Sequence, residues 1–288
     1  MPSARTTRQE RLHLSYDNEP GRRIGVRIER PPETVSTPAT GHASVVLCHG
    51  FKGFMDWGFF PWLSAELSSA GFVVVSLNAS GCGVGDNPLE MDDEEAFFRD
   101  TYSRQLEDIA RVRRFAAELE DVDADRIALL GHSRGGGMAV VSAAESPSAA
   151  LVTWAAIDEA DRFSESIKAA WREDGELCVP NGRTGQIHRL SVAALHDFET
   201  NAERLDIRAA AARLQEPYLA IHGRKDPTVD WVSADRLAAQ APRGKALIIE
   251  DADHGFGATH PLGESRPASL LEAFNATLSH LAPLLHLK

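Results

Sequence analysis

The chain has 288 residues, 43% hydrophobic and 25% charged, and 42 Asp and Glu against 30 Lys and Arg give it a net charge of −12. That length suits one large α/β domain spanning 1–288, and the acidic balance argues against nucleic acid or an anionic membrane surface as partner, since both select basic patches. No apolar run approaches the roughly 18 residues of a membrane span, and Met1-Pro2-Ser3-Ala4-Arg5 lacks the apolar middle of a signal peptide, so a cytoplasmic location is expected. Cys48, Cys82 and Cys178 form an odd set without paired spacing, which encourages neither a disulfide framework nor a thiolate zinc site.

Arg11-Leu12-His13-Leu14-Ser15-Tyr16 and Arg23-Ile24-Gly25-Val26-Arg27-Ile28-Glu29 alternate with period two around Asn18-Glu19-Pro20-Gly21, which predicts an antiparallel hairpin. After a loop from Pro31 to Gly41 the pattern changes to short, continuously apolar runs: Ser44 to Cys48, Phe72 to Leu77, Arg126 to Leu130, Ala150 to Trp154, Tyr218 to Ile221 and Lys245 to Ile249. Runs apolar on both faces indicate parallel strands covered by helices, so a mostly parallel sheet of eight strands is expected, the hairpin included. Amphipathic stretches around Pro61 to Leu67, Tyr102 to Leu119 and Ala268 to Leu281 supply helices. The connection between Asp158 and Pro217 is long, and 156–206 is read as a helical lid insertion over the site.

The strongest chemical signal is Ile127-Ala128-Leu129-Leu130-Gly131-His132-Ser133-Arg134-Gly135-Gly136-Gly137, an apolar strand running through G-x-S-x-G into a helix rich in small residues. A serine hydroxyl is a weak nucleophile and needs an exposed, fixed position, which a sharp strand-to-helix turn supplies, and flanking glycines leave room for that backbone. Ser133 is therefore the expected nucleophile. His49-Gly50-Phe51 ends the first buried strand where half of an oxyanion hole is placed, so the Phe51 and Arg134 amides are the expected donors, each worth about 3 to 4 kcal/mol to a transition state. His49 itself reads as a brace for the loop.

In this arrangement the acid and then the base follow the nucleophile along the chain. His254, in the polar loop after the last buried strand, is the expected base, with His260 the runner-up and His222 a strand-end residue. Asp226, three residues after Gly223 at a strand end, is the expected acid, with Asp158 its rival and Asp251 and Asp253 read as turn residues. The Asp253-His254 cluster lacks further ligands at sensible spacing, so no metal is expected, and the chemistry needs no diffusible cofactor. Phe54, Trp57, Trp154 and Trp171 flank these segments and are candidates to line an apolar substrate pocket.

With His49-Gly50-Phe51-x-Gly53, Gly131-His132-Ser133-x-Gly135-Gly136, Gly223-x-x-Asp226 and Asp253-His254-x-Phe256 assembled, the chain resembles the α/β-hydrolase superfamily over nearly its whole length. The likeness is to the branch of feruloyl and cinnamoyl esterases and acyl-peptide hydrolase-like enzymes. It implies ester hydrolysis of a small or medium acyl substrate through a Ser133 acyl-enzyme, with Ser133, Asp226 and His254 as triad. Ala79-Ser80-Gly81-Cys82-Gly83 departs from the Arg-Gly-His-Gly usual after the second parallel strand. A peptidase gripping an amine through Glu165, Glu173 or Glu176 is the competing expectation, and a non-catalytic binding protein on the same scaffold is a third.

Overall fold

The computed structural model describes residues 7–182 and 185–286. Its principal sheet has eight strands, β1 (Arg8–Ser15), β2 (Arg23–Arg30), β3 (His42–Cys48), β4 (Val73–Asn78), β5 (Val122–His132), β6 (Leu151–Trp154), β9 (Tyr218–Gly223) and β10 (Gly244–Ile249). Their order across the sheet is β1-β2-β4-β3-β5-β6-β9-β10. The first two form the expected hairpin, β2 runs antiparallel to β4, and β4, β3, β5, β6, β9 and β10 are parallel to one another.

Every residue of β3 and β4 is buried, because helices cover both faces of the sheet. Strand alternation sorts these apolar runs between two cores. Val46, Val75 and Leu129 face one layer with α3 (Tyr102–Ala117), α4 (Arg134–Glu145) and α8 (Val232–Gln240). Val45, Val74 and Leu130 face the other, with α1 (Phe60–Ser69) and α9 (Ala268–Leu285). The side chain of Thr101 caps α3 by accepting from the Arg104 amide, which fixes where that helix starts, beside Asp100.

The segment between β6 and β9 is not purely helical as expected. It contains α5 (Glu165–Asp174), an antiparallel pair β7 (Glu176–Pro180) and β8 (Ile187–Ser191), α6 (Ala193–Thr200) and α7 (Ile207–Ala211). Gly175 ends α5 in the left-handed region and turns the chain directly into β7. The strand pair buries one side only, through Val179, His188 and Leu190, so its sequence carries too short an alternation to stand out. Val179 and Leu190 close a third, small core with Phe54, Met91, Trp171, Leu195 and Phe97, the last from α2 (Glu94–Phe98).

Candidate active site

Ser133 follows the last residue of β5 and precedes the first of α4, at φ 55° and ψ −123°. A side chain at positive φ is strained by about 1 to 3 kcal/mol and persists only where its surroundings hold it. Here they do: the Ser133 amide donates to the Trp154 carbonyl at 2.9 Å, and its own carbonyl accepts from the Gly136 and Gly137 amides at 3.0 and 3.1 Å. A Cβ on Gly135 would collide with the His49 carbonyl, and one on Gly131 with the Gly135 carbonyl, so this turn closes only with glycine at both positions.

The Phe51 and Arg134 residues line the same cavity as Ser133. Arg134 is the first residue of α4, ahead of any intrahelical acceptor, and among the described residues neither its amide nor that of Phe51 has a protein acceptor. The Arg134 side chain ties this corner together. Its guanidinium makes a two-pronged pair with buried Asp100 at 2.6 and 2.9 Å, donates to Gln105 at 2.8 Å and lies 4.8 Å from the Phe51 ring centre. Gln105 in turn donates to the His49 carbonyl at 3.2 Å.

The His49 ring accepts from the Ala79 amide through Nε2 and donates from Nδ1 to the Gly50 carbonyl, so it braces the loop as the sequence suggests. Complete burial pushes its pKa down to about 4, with the nearby Arg134 charge acting in the same direction against the Gly50 carbonyl. His49 is therefore a neutral ring at neutral pH.

Asp226 and His254 meet across the loops that follow β9 and β10, with His254 Nδ1 donating to Asp226 Oδ2 at 2.7 Å. The other carboxylate oxygen accepts from the Thr228 and Val229 amides at 2.7 and 3.0 Å. Burial pushes the Asp226 carboxyl up, but hydrogen bonds from His222 and His254, the His254 charge and the Val229 amide outweigh it and hold the group well below the usual carboxylate range. Donation from Nδ1 leaves Nε2 of His254 as the basic nitrogen, and His254 faces the Ser133 cavity.

Two histidines have roles that the sequence reading does not assign. His222 is fully buried, and its Nε2 donates to Asp226 Oδ2 at 3.0 Å and the Val229 carbonyl at 3.1 Å. The i, i+4 spacing from His222 to Asp226 across Gly223 is the signal that points to it. His132, inside the G-x-S-x-G turn, donates from Nε2 to the His254 carbonyl at 2.9 Å, with ring centres 4.7 Å apart.

The rival groups are engaged elsewhere. Asp158 bonds Arg208, Ser233 and Arg236. His260 accepts from the Gly58 amide through Nδ1 and packs on Phe54 and Trp57. Asp253 accepts from the Gly255 and Gly257 amides, as a turn residue does.

Two cavities meet at His254, sharing Lys52, Asn181 and Thr228 as well. The first, about 490 Å³, holds Ser133, Phe51 and Arg134, and its far wall is apolar, with Phe163, Trp171, Leu190, Leu195 and Phe198 from the segment between β6 and β9. The second, about 780 Å³, lies beyond His254 and is lined by Phe54, Trp57, Met91, His132, Pro227 and His260 among others. Of the aromatic candidates, then, Trp171 lines one cavity and Phe54 and Trp57 the other. Trp154 lines neither. As part of a strand flanked on both sides, it is fully buried, donates to Thr277 at 2.9 Å and packs on Phe256, two residues past His254. It supports the histidine loop from below.

Comparison with known proteins agrees with this architecture. The chain is 24% identical over 228 residues to the mouse (Mus musculus) serine hydrolase BPHL, covering 75% of this chain and 74% of that protein. Two other curated proteins match at 34% identity over only 82 and 104 residues, so the chain spans 29% and 33% of their length. Among solved structures, Est1E from Butyrivibrio proteoclasticus with ferulic acid bound superposes with a TM-score of 0.69 at 17% identity, over 94% of this chain and 99% of that one. A puromycin-hydrolyzing peptidase of Mycobacterium tuberculosis superposes with a TM-score of 0.70 at 18% identity, over all of this chain and 41% of that one. The sequence profile of the alpha/beta hydrolase family matches residues 45–272, a stretch that opens in β3 and takes in Ser133, Asp226 and His254. The chain belongs to the alpha/beta hydrolase family.

Proposed function

We propose that this hydrolase is a serine carboxylesterase that cleaves a small or medium acyl ester through an acyl-enzyme on Ser133. The observation that carries the reading is that His254, oriented by Asp226 through a 2.7 Å bond to Nδ1, faces the same cavity as Ser133 and the Phe51 and Arg134 amides. Nε2 of His254 takes the Ser133 proton as the hydroxyl attacks the acyl carbon, and the two amides stabilise the oxyanion. The proton passes to the departing group. Water activated by the same nitrogen then releases the acid.

The peptidase alternative is less well supported. Glu165 pairs with Lys168 and Glu176 with Arg189, and neither these nor Glu173 line the cavity that holds Ser133. The carboxylate that does line it, Asp100, is committed to Arg134.

Hydrolysis of p-nitrophenyl butyrate tests the proposal. Ser133→Ala and His254→Ala are each expected to lower kcat by at least about a thousandfold while circular dichroism stays unchanged. A Ser133→Ala enzyme retaining a tenth of the wild-type rate would overturn the reading.

A further inference from the structure

Resting on that reading, we propose that the cavity beyond His254 receives the leaving group, that the cavity with Ser133 receives the acyl group, and that the leaving group which fits is an alcohol bearing an aromatic ring. The acyl carbon must lie against Ser133 Oγ with its oxygen on the Phe51 and Arg134 amides, and all three residues line the first cavity and none the second. The leaving oxygen must lie where His254 can protonate it, and His254 is common to both cavities. A substrate seated at this junction therefore extends its acyl chain toward Phe163, Trp171 and Phe198 and its alcohol past His254.

The second cavity presents rings to that alcohol. Trp57 stacks on His260 with centres 6.1 Å apart and planes 25° apart, and Phe54 meets His260 edge-on at 5.8 Å. Leu89, 59% exposed, extends the apolar surface at the same cavity. An aromatic ring on the alcohol finds offset and edge-to-face partners there that a linear alkyl alcohol cannot use.

The step balances without any co-reactant. The Ser133 Oγ–carbon bond forms, the carbon–alkoxy bond breaks, and the serine proton moves through His254 to the departing oxygen. Added alcohol reverses this step on the acyl-enzyme in competition with water.

The test compares 2-phenylethyl butyrate with butyl butyrate, which share the acyl group, in the wild-type enzyme and in Trp57→Ala and Phe163→Ala. Trp57→Ala is expected to lower kcat/KM for the aromatic ester about tenfold more than for the alkyl ester. Phe163→Ala is expected to leave that ratio alone and to change the ratio between butyrate and hexanoate esters. In the unmodified enzyme, 2-phenylethanol should intercept the butyryl-enzyme at least fivefold more effectively than 1-butanol, which tests the assignment without relying on a variant that folds. Equal interception, or a Trp57→Ala effect on acyl length instead of alcohol, overturns the assignment while acyl-enzyme formation still stands. Failure to detect any acyl group on Ser133 overturns the underlying reading and the assignment with it.

Discussion

Asp226 accepts two hydrogen bonds on each oxygen, from Thr228 and Val229 on one side and from His222 and His254 on the other. This saturation fixes the carboxylate, so replacing Asp226 by Asn should lower kcat by about 10⁴, as loss of the orienting acid does. Asp158→Asn should stay within about tenfold in kcat and show instead as a lowered Tm, because Asp158 serves Arg208, Arg236 and Ser233. His222 donates to the same Asp226 Oδ2 that His254 uses and so helps hold the carboxylate in place. His222→Leu removes that donor and should lower kcat, and His222→Gln, whose amide can reach the same oxygen, should restore it. An unchanged kcat in His222→Leu would show that the ring only fills space. That Ser133, Asp226 and His254 each follow a buried strand in a glycine-containing turn was legible in the sequence, because the apolar runs before them and the glycines beside them are local signals. The His222 bond was not, because a histidine at a strand end looks alike whether its ring meets solvent or curls back onto its own loop.

At the scale of elements, the six parallel strands and the opening hairpin were readable because continuous apolar runs and period-two alternation have different physical causes, burial on two faces and on one. The strand pair β7 and β8 was hidden because it is short and gains its burial from a neighbouring element, with the His188 ring tilted against Phe97 of α2, centres 4.7 Å apart. Trp154 is a core residue and not a pocket residue for a related reason. A tryptophan at the end of a strand can face a pocket or a core, and only the position of β6 between β5 and β9 decides for the core. Trp171 anchors the segment between β6 and β9, with Nε1 donating to the Leu190 carbonyl at 3.1 Å and its ring meeting Phe163. Trp171→Ala should cost about 3 to 5 kcal/mol locally. Limited proteolysis should then cut within 176–191 well before global unfolding, and a cleavage pattern unchanged from wild type would contradict this anchoring role.

For the whole molecule, the acidic surface and the buried ionisable groups give stability a definite pH dependence. His49 has its pKa lowered by burial to about 4, against about 6.5 in an unfolded chain. Between those values the unfolded state binds a proton that the folded state does not, so stability rises with pH across this window and falls on acidification. The full contribution is about 3 kcal/mol. Asp226 acts in the same direction: its depressed pKa contributes stability above the ordinary carboxylate range that is lost as pH falls toward the folded value. Urea unfolding at pH 7.0 and 4.5 should therefore differ by a few kcal/mol, and His49→Gln should flatten the part of that slope between pH 6.5 and 4. An identical slope in the variant would assign the loss to other groups. Ser133 as the nucleophile activated by His254 is checked by the intact-protein mass after treatment with a fluorophosphonate. A single adduct is expected, located on Ser133 by peptide mapping and absent in Ser133→Ala and His254→Ala; an adduct of undiminished yield in Ser133→Ala would overturn this role for Ser133.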